Sequence, residues 1–121
     1  MERLRQRVDF LAAAKGAKVP SKTFILQGRK RDDDGSARVG FTVTKNVGNS
    51  AIRNRVRRRL REIVRQCGAA GMRHGYDYVV IGRHAALAAP FGEMIGEFEG
   101  ALRRLHKGHV LAKPQAMPAR P

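Results

Sequence analysis

The chain has 121 residues, with 25 Lys or Arg against 10 Asp or Glu, a net charge of +15 and a pI near 11.5. That length holds one domain with a modest core built from aliphatics and five Phe, since there is no Trp. The single cysteine, Cys67, excludes an intrachain disulfide and a cysteine-based zinc cluster, and no run approaches membrane-spanning length.

So large a cationic excess repels itself in a compact fold and is usually offset by a polyanion. The N-terminus, MERLRQRVDF, is charged throughout and lacks an apolar signal-like region, so a soluble cytoplasmic protein with no membrane partner is expected. In chain order, residues 3–15 place Leu4, Val8, Leu11 and Ala12 at i, i+4, i+7 and i+8, a helical stripe; Phe10 falls off its centre and is read as facing another surface. Residues 15–22 (KGAKVPSK), with Gly16 and Pro20, read as a loop. Residues 23–31 predict a strand with Phe24 and Leu26 on one face and Ile25 and Gln27 on the other.

DDDGS (32–36) predicts a hairpin turn. Its adjacent aspartates diverge and no further ligand is near in sequence, which argues against a metal site there. Residues 38–45 (RVGFTVTK) alternate cleanly. Val39, Phe41 and Val43 share a core face; Gly40, Thr42 and Thr44 share a small, hydroxylated face that a ligand backbone can approach closely, although a plain solvated sheet face is the simpler reading.

Gly48 supplies a turn, and Asn49 or Ser50 can cap the helix that follows. Within 51–66, Ile52, Val56, Leu60, Ile63 and Val64 form one apolar stripe. Opposite lie Asn54, Arg58, Arg61 and Arg65; Arg53 and Arg57 border them, and Arg55 and Arg59 sit on the far flank. Gly68 is the expected stop, followed by a Gly-rich loop over 68–75. DYVVIGR (77–83) is short, β-branched and apolar, as a central strand requires. Pro90 opens a packing helix to residue 107, with Met94, Ile95, Phe98, Ala101, Leu102 and Leu105 at helical spacing. Residues 113–121 carry three prolines and no period and read as a disordered tail, leaving 1–112 as a single RNA-binding domain.

The order α-β-β-α-β-α predicts a small α+β two-layer sandwich: a hairpin, then a helical crossover to a third strand. Helices cover one sheet face and the other stays partly open.

The chemistry concentrates between Lys45 and Arg65, where eight residues are basic and only Glu62 is acidic. The chain has 18 Arg and 7 Lys, and the planar guanidinium binds phosphate through two donors and stacks on bases. A rigid helix fixes the spacing of those groups, which suits folded RNA, read more by backbone than by base. Engagement of about five phosphates gives a log K against log salt slope of roughly −3.5 to −4.5. No catalytic residue is assigned to the chain. His74, His84, His106 and His109 are scattered, His106-x-x-His109 lacks a third metal ligand, Ser50 has no paired base, and no carboxylate pair stands near the basic face.

RVGFTVTKNVGNSAIRNRVRRRLRE (38–62) closely resembles the signature of the bacterial ribonuclease P protein component: a strand ending in Lys45, then Gly48-Asn49, then Arg53-Asn54-Arg55 followed by Arg57, Arg58 and Arg61. The likeness extends to Arg3-Leu4, Asp9-Phe10, DYVVIGRHAA (77–86) and the last helix, about residues 3–107. The resemblance implies a protein subunit of a ribozyme whose RNA uses Mg²⁺ to remove the 5′ leader from precursor tRNA, with one chain per RNA. The endonuclease is then the holoenzyme, and its catalytic groups belong to the RNA. It further implies that Lys45, Asn49, Arg53, Asn54, Arg55, Arg57, Arg58, Arg61 and Arg65 contact the catalytic RNA. Phe10, Ile25, Gln27, Thr42 and Thr44 would line a cleft for the leader, and the basic helix would sit in a left-handed crossover, against the usual hand. Ala14 and Gln27 stand where the family often has aromatics, so leader stacking is weaker here. Ser50 replaces the more usual Ala. A basic ribosomal-type RNA-binding protein is the alternative; such proteins commonly carry long basic tails, and this tail has few charges.

Overall fold

The computed structural model describes residues 2–107. In order the elements are β1 (Glu2–Arg3), α1 (Arg7–Ala14), β2 (Ala17–Pro20), β3 (Phe24–Lys30), β4 (Arg38–Thr42), α2 (Ser50–Gly71), β5 (Tyr76–Gly82) and α3 (Phe91–Lys107). Short 3-10 turns, Lys45–Val47 and His84–Leu87, follow β4 and β5. The five strands form one sheet in the order β1-β4-β5-β3-β2. β4 and β5 are parallel neighbours joined through α2; β3 runs antiparallel to β5, and β2 antiparallel to β3. This is an α+β fold with a parallel β-α-β unit at its centre.

β5 is the middle strand because it is apolar on both sides: Tyr78 and Val80 point one way, Val79 and Ile81 the other. The main core lies between one sheet face and α2 with α3. There Phe24, Leu26, Tyr78 and Val80 meet Val56, Leu60, Ile63, Met94 and Phe98. Burying each such side chain contributes about 1.5–3 kcal/mol, so the aliphatic stripe of α2 fixes both its position and its rotation. Arg59, on the flank of that stripe, anchors the next segment. Its guanidinium donates to the carbonyls of Ala86 (2.9 Å) and Ala89 and lies 4.5 Å from the centre of the Phe91 ring.

Several expectations are corrected. Residues 15–22 are not all loop, because Ala17–Pro20 pairs with β3. Pro20 is tolerated there because it ends an edge strand. DDDGS closes no hairpin: β5 lies between β3 and β4, and 32–36 crosses its end. Backbone bonds from Gly75 N–H to Gly35 O (2.7 Å) and from Arg31 N–H to Gly75 O (2.6 Å) tie that crossing down.

The first helix begins at Arg7, because Glu2 and Arg3 pair with β4. Leu4 therefore has no helical phase, and the stripe counted from it is not the buried face. Val8 and Leu11 are 63% and 52% exposed, whereas Phe10 and Ala13 pack on Leu4, Val79 and Ile81. Finally, α2 continues past Gly68 to Gly71, and the left-handed glycine that ends the excursion is Gly75, at φ +81°. The expected tail, 113–121, lies outside the described residues.

Candidate nucleic-acid interface

The helix that carries the basic residues starts at a defined corner. Gly48, at φ +156°, turns the chain, and a Cβ there would fall 2.9 Å from Ile52 Cγ2, so glycine is required on both counts. Asn49 Oδ1 accepts the Ile52 N–H at 3.0 Å, which identifies Asn49 as the cap. Arg53 folds back over the same corner, donating to Gly48 O (3.2 Å) and Ser50 Oγ (3.3 Å). Asn49 and Arg53 thus spend polar atoms on shaping the turn.

Outward from that corner, Asn54, Arg55, Arg58, Arg61 and Arg65 are exposed. Arg57, half-buried, donates to Asn54 Oδ1 at 2.8 Å. Arg61 lies 5.7 Å from the centre of the half-buried Phe41 ring. Arg65 is bound by Glu62, one helical turn back, and that carboxylate also accepts from Gln66 Nε2. The Arg65 and Gln66 bonds pull the Glu62 carboxyl down to about 2. Arg65 is therefore partly neutralised, while Arg55, Arg58 and Arg61 form no ion pair among the described residues.

The second candidate surface is the opposite sheet face, and the strand register orders it into three rows. Arg38, Asp77 and Arg29 form one; Gly40, Val79, Gln27 and Lys18 the next; Thr42, Ile81, Ile25 and Pro20 the third. α1 lies over the middle row: a Cβ at Gly40 would meet the Phe10 ring. Gln27, 5% exposed, is part of the buried floor, whereas Thr42 and Ile25 are half-exposed and Thr44 is open. The register therefore brings Ile25, Gln27 and Thr42 onto one sheet face beside the Phe10 ring, with the third row as its accessible floor, and Thr44 lies exposed just past the end of β4. Ile81, absent from the predicted set, is central to that floor. A run apolar on both faces hides which side each residue takes, and only the register reveals it.

The first row holds a feature that sequence reading missed. Asp77 is fully buried at the meeting point of Arg38 (2.7 and 2.8 Å) and Arg31 (2.6 Å). Burial alone would raise its carboxyl, but the hydrogen bonds from Arg38 and Arg31 outweigh that and hold it below the usual range. The cluster locks the end of the sheet away from the cleft.

The two surfaces meet where β4 ends. Thr42 and Thr44 lead directly into Lys45, the Gly48 turn and the capped start of α2. His84, after β5, approaches Val47 O at 3.1 Å through Nδ1 and closes the same corner. Among the described residues, no three His, Cys, Asp or Glu side chains converge as a metal site, and no helix is long and apolar enough to cross a membrane.

The family model for ribonuclease P matches residues 1–106. The chain is 47% identical over 103 residues to the ribonuclease P protein component of Gluconacetobacter diazotrophicus, covering 84% of this chain and 89% of that one. It is 45% identical over 123 residues to the component of Paramagnetospirillum magneticum, covering 94% and 92%. Among solved structures, the ribonuclease P protein of Thermotoga maritima superposes with a TM-score of 0.72 at 31% identity, covering 86% of this chain and 97% of that one.

Proposed function

Since the chain belongs to the ribonuclease P protein family and is the protein subunit of that endoribonuclease, we propose that its two surfaces divide the RNA-binding work. The arginine side of α2 docks on the catalytic RNA, through Arg55, Arg58 and Arg61, with Lys45, Asn49, Arg53, Asn54, Arg57 and Arg65 around them. The cleft beneath Phe10, floored by Ile25, Thr42, Ile81 and Thr44 above the buried Gln27, receives the single-stranded 5′ leader of precursor tRNA.

The observation that carries this reading is the contrast between the faces. One presents Arg55, Arg58 and Arg61, which have no ion-pair partner among the described residues, beside a rigid aliphatic seam. The other is a nearly uncharged strip of methyl and hydroxyl groups beside an aromatic ring. Phosphate attraction suits a folded RNA bound for long periods, and a shallow, weakly charged cleft suits an unpaired strand that must enter and leave. Because the surfaces adjoin at the Lys45–Asn49 corner, a chain seated on its RNA presents the cleft beside it. Mg²⁺ and the hydrolytic groups come with the RNA, one chain serves one RNA, and the complex works in the cytoplasm.

The test is precursor-tRNA cleavage at low Mg²⁺ by the chain alone, the catalytic RNA alone, and both. Cleavage is expected only, or far faster, with both. Cleavage by the chain alone, or no effect of the chain on the RNA, would overturn the reading.

A further inference from the structure

On the core face of β4, Val39 and Val43 are only 7% and 6% exposed, yet Phe41 between them is half-buried. The cause is a gap in what covers the strand. β1 pairs with β4 only at Arg38 and Val39, and the last backbone bond across that edge runs from Leu4 N–H to Val39 O at 2.8 Å. β1 is the outermost strand, so beyond Val39 the outer edge of β4 has no strand beside it. Backbone groups alternate sides along a strand, and the N–H and C=O of Phe41 therefore share the outward edge of Val39, unpaired.

α2 stands on the other side of the gap. Between them lies an open pocket of about 200 Å³, floored by Val39, the Phe41 ring and Val64. Arg3 from β1 and Arg61 and Arg65 from α2 form its rim, with Glu2 as the one acid among the lining residues. Arg65 is engaged by Glu62, whereas Arg3 and Arg61 form no ion pair among the described residues. Arg61 is exposed, and at 5.7 Å from the Phe41 ring centre it is near the outer limit of a cation–π contact, so it can move aside at little cost.

An open aromatic floor suits a flat apolar partner, and a guanidinium rim suits a negative one. An unpaired nucleotide is both: its base stacks on a ring, its backbone carries phosphate, and its edge can pair with a bare strand amide. An apolar peptide side chain would fill the floor and leave the arginines unanswered; an isolated phosphate would do the reverse. The pocket is also continuous with the arginine row of α2, because Arg61 and Arg65 belong to both.

We propose that this pocket receives one unpaired base of the catalytic RNA, stacked on Phe41, with Arg3 and Arg61 on the flanking phosphates. The proposal rests on the docking of α2 on that RNA. The pocket is distinct from the leader cleft, since Phe41 packs with the main core and Phe10 with the cluster on the opposite sheet face.

The experiment labels the full chain with para-fluorophenylalanine and assigns the Phe41 ¹⁹F signal through Phe41→Leu. The chain is titrated with the catalytic RNA and, separately, with inorganic polyphosphate, which supplies phosphates without bases. The RNA should shift the Phe41 signal and polyphosphate should not. Phe41→Leu, which keeps an apolar floor, should raise the Kd for the RNA about fivefold or more, whereas Phe41→Tyr, which keeps a stacking face, should stay within about twofold of wild type. The salt slope should be unchanged in both, because neither removes a charge.

No shift with RNA, an equal shift with polyphosphate, or a wild-type Kd in Phe41→Leu overturns the proposal. So does a Phe41→Tyr variant as weak as Phe41→Leu, which assigns the loss to packing, or a shift that grows with chain concentration without RNA, which makes a second copy the occupant. Arg58→Ala, outside the pocket, keeps the two readings apart. If it weakens RNA binding and Phe41→Leu does not, the base pocket fails and the docking of α2 stands; if neither does, the docking itself fails.

Discussion

The Phe10 ring lies directly on Gly40: a Cβ built at Gly40 would fall 2.6 Å from Phe10 Cε1 and 3.1 Å from Leu4 Cβ. This contact sets the height of α1 above the sheet and so the width of the candidate cleft. Gly40→Ala should lift the ring and strain the site, costing about 1–3 kcal/mol as an overpacked position does. A shift of the urea midpoint measures the cost; an unchanged midpoint would mean that α1 rides freely on the sheet.

Phe10→Ala removes the wall and leaves the floor. The apparent Kd for precursor tRNA should rise by about five- to 150-fold, the 1–3 kcal/mol of one base–aromatic contact, while that for mature tRNA, which has no leader, stays within error. Equal losses for both would remove Phe10 from the leader's path.

Arg58 and Arg61 are solvent-facing, whereas Arg59, between them, is tied to Ala86, Ala89 and Phe91. Arg58→Ala/Arg61→Ala should weaken binding to the catalytic RNA and reduce the salt slope by about 1.4–1.8 if each meets one phosphate. Stability should hardly change. Arg59→Ala should instead lower stability by about 1–3 kcal/mol, through carbonyls left without their charged donor, and leave the slope alone. Binding against salt, alongside denaturation, separates the two; the reverse pattern would mean that α2 is rotated relative to its partner.

Glu62 is the only acid between Lys45 and Arg65 and is ionised at neutral pH, its carboxyl held down to about 2 by Arg65 and Gln66. Glu62→Gln should release Arg65 for RNA, steepening the salt slope by up to about one and tightening binding. Weaker binding would show that Glu62 holds Arg65 in a docking geometry.

Asp77 links acid to unfolding. Its folded carboxyl sits below the unfolded value of about 3.9. The stability it contributes is therefore complete above about pH 4 and is lost as pH falls through the folded value. Asp77→Asn should cost about 3–5 kcal/mol at pH 7, because Arg31 and Arg38 lose their shared buried counterion. The gap between variant and wild type should narrow below pH 4 in urea titrations. A pH-independent gap would assign the loss to packing alone.

The primary sequence by itself determined the two faces of α2. Four core aliphatics and an opposed row of arginines obey one 3.6-residue period, and a period is a local property of the chain. The alternation in 38–44 likewise separated Val39, Phe41 and Val43 from Gly40, Thr42 and Thr44 before any contact was known, because pleating alone sends neighbours to opposite sides. The strand order was a different matter. β5 inserts between β3 and β4 through pairs that run from Lys30–Tyr76, 46 residues apart, to Phe24–Gly82, 58 apart, and no local pattern distinguishes that from a hairpin. The phase of α1 was also decided in three dimensions, since an eight-residue helix offers two equally plausible stripes and Gly40 selects Phe10 over Val8 and Leu11. The same long-range pairing set Ile81 beside Thr42 and buried Asp77 among its arginines. Local periodicity specifies which side of an element is which; only the closed sheet specifies what each side meets.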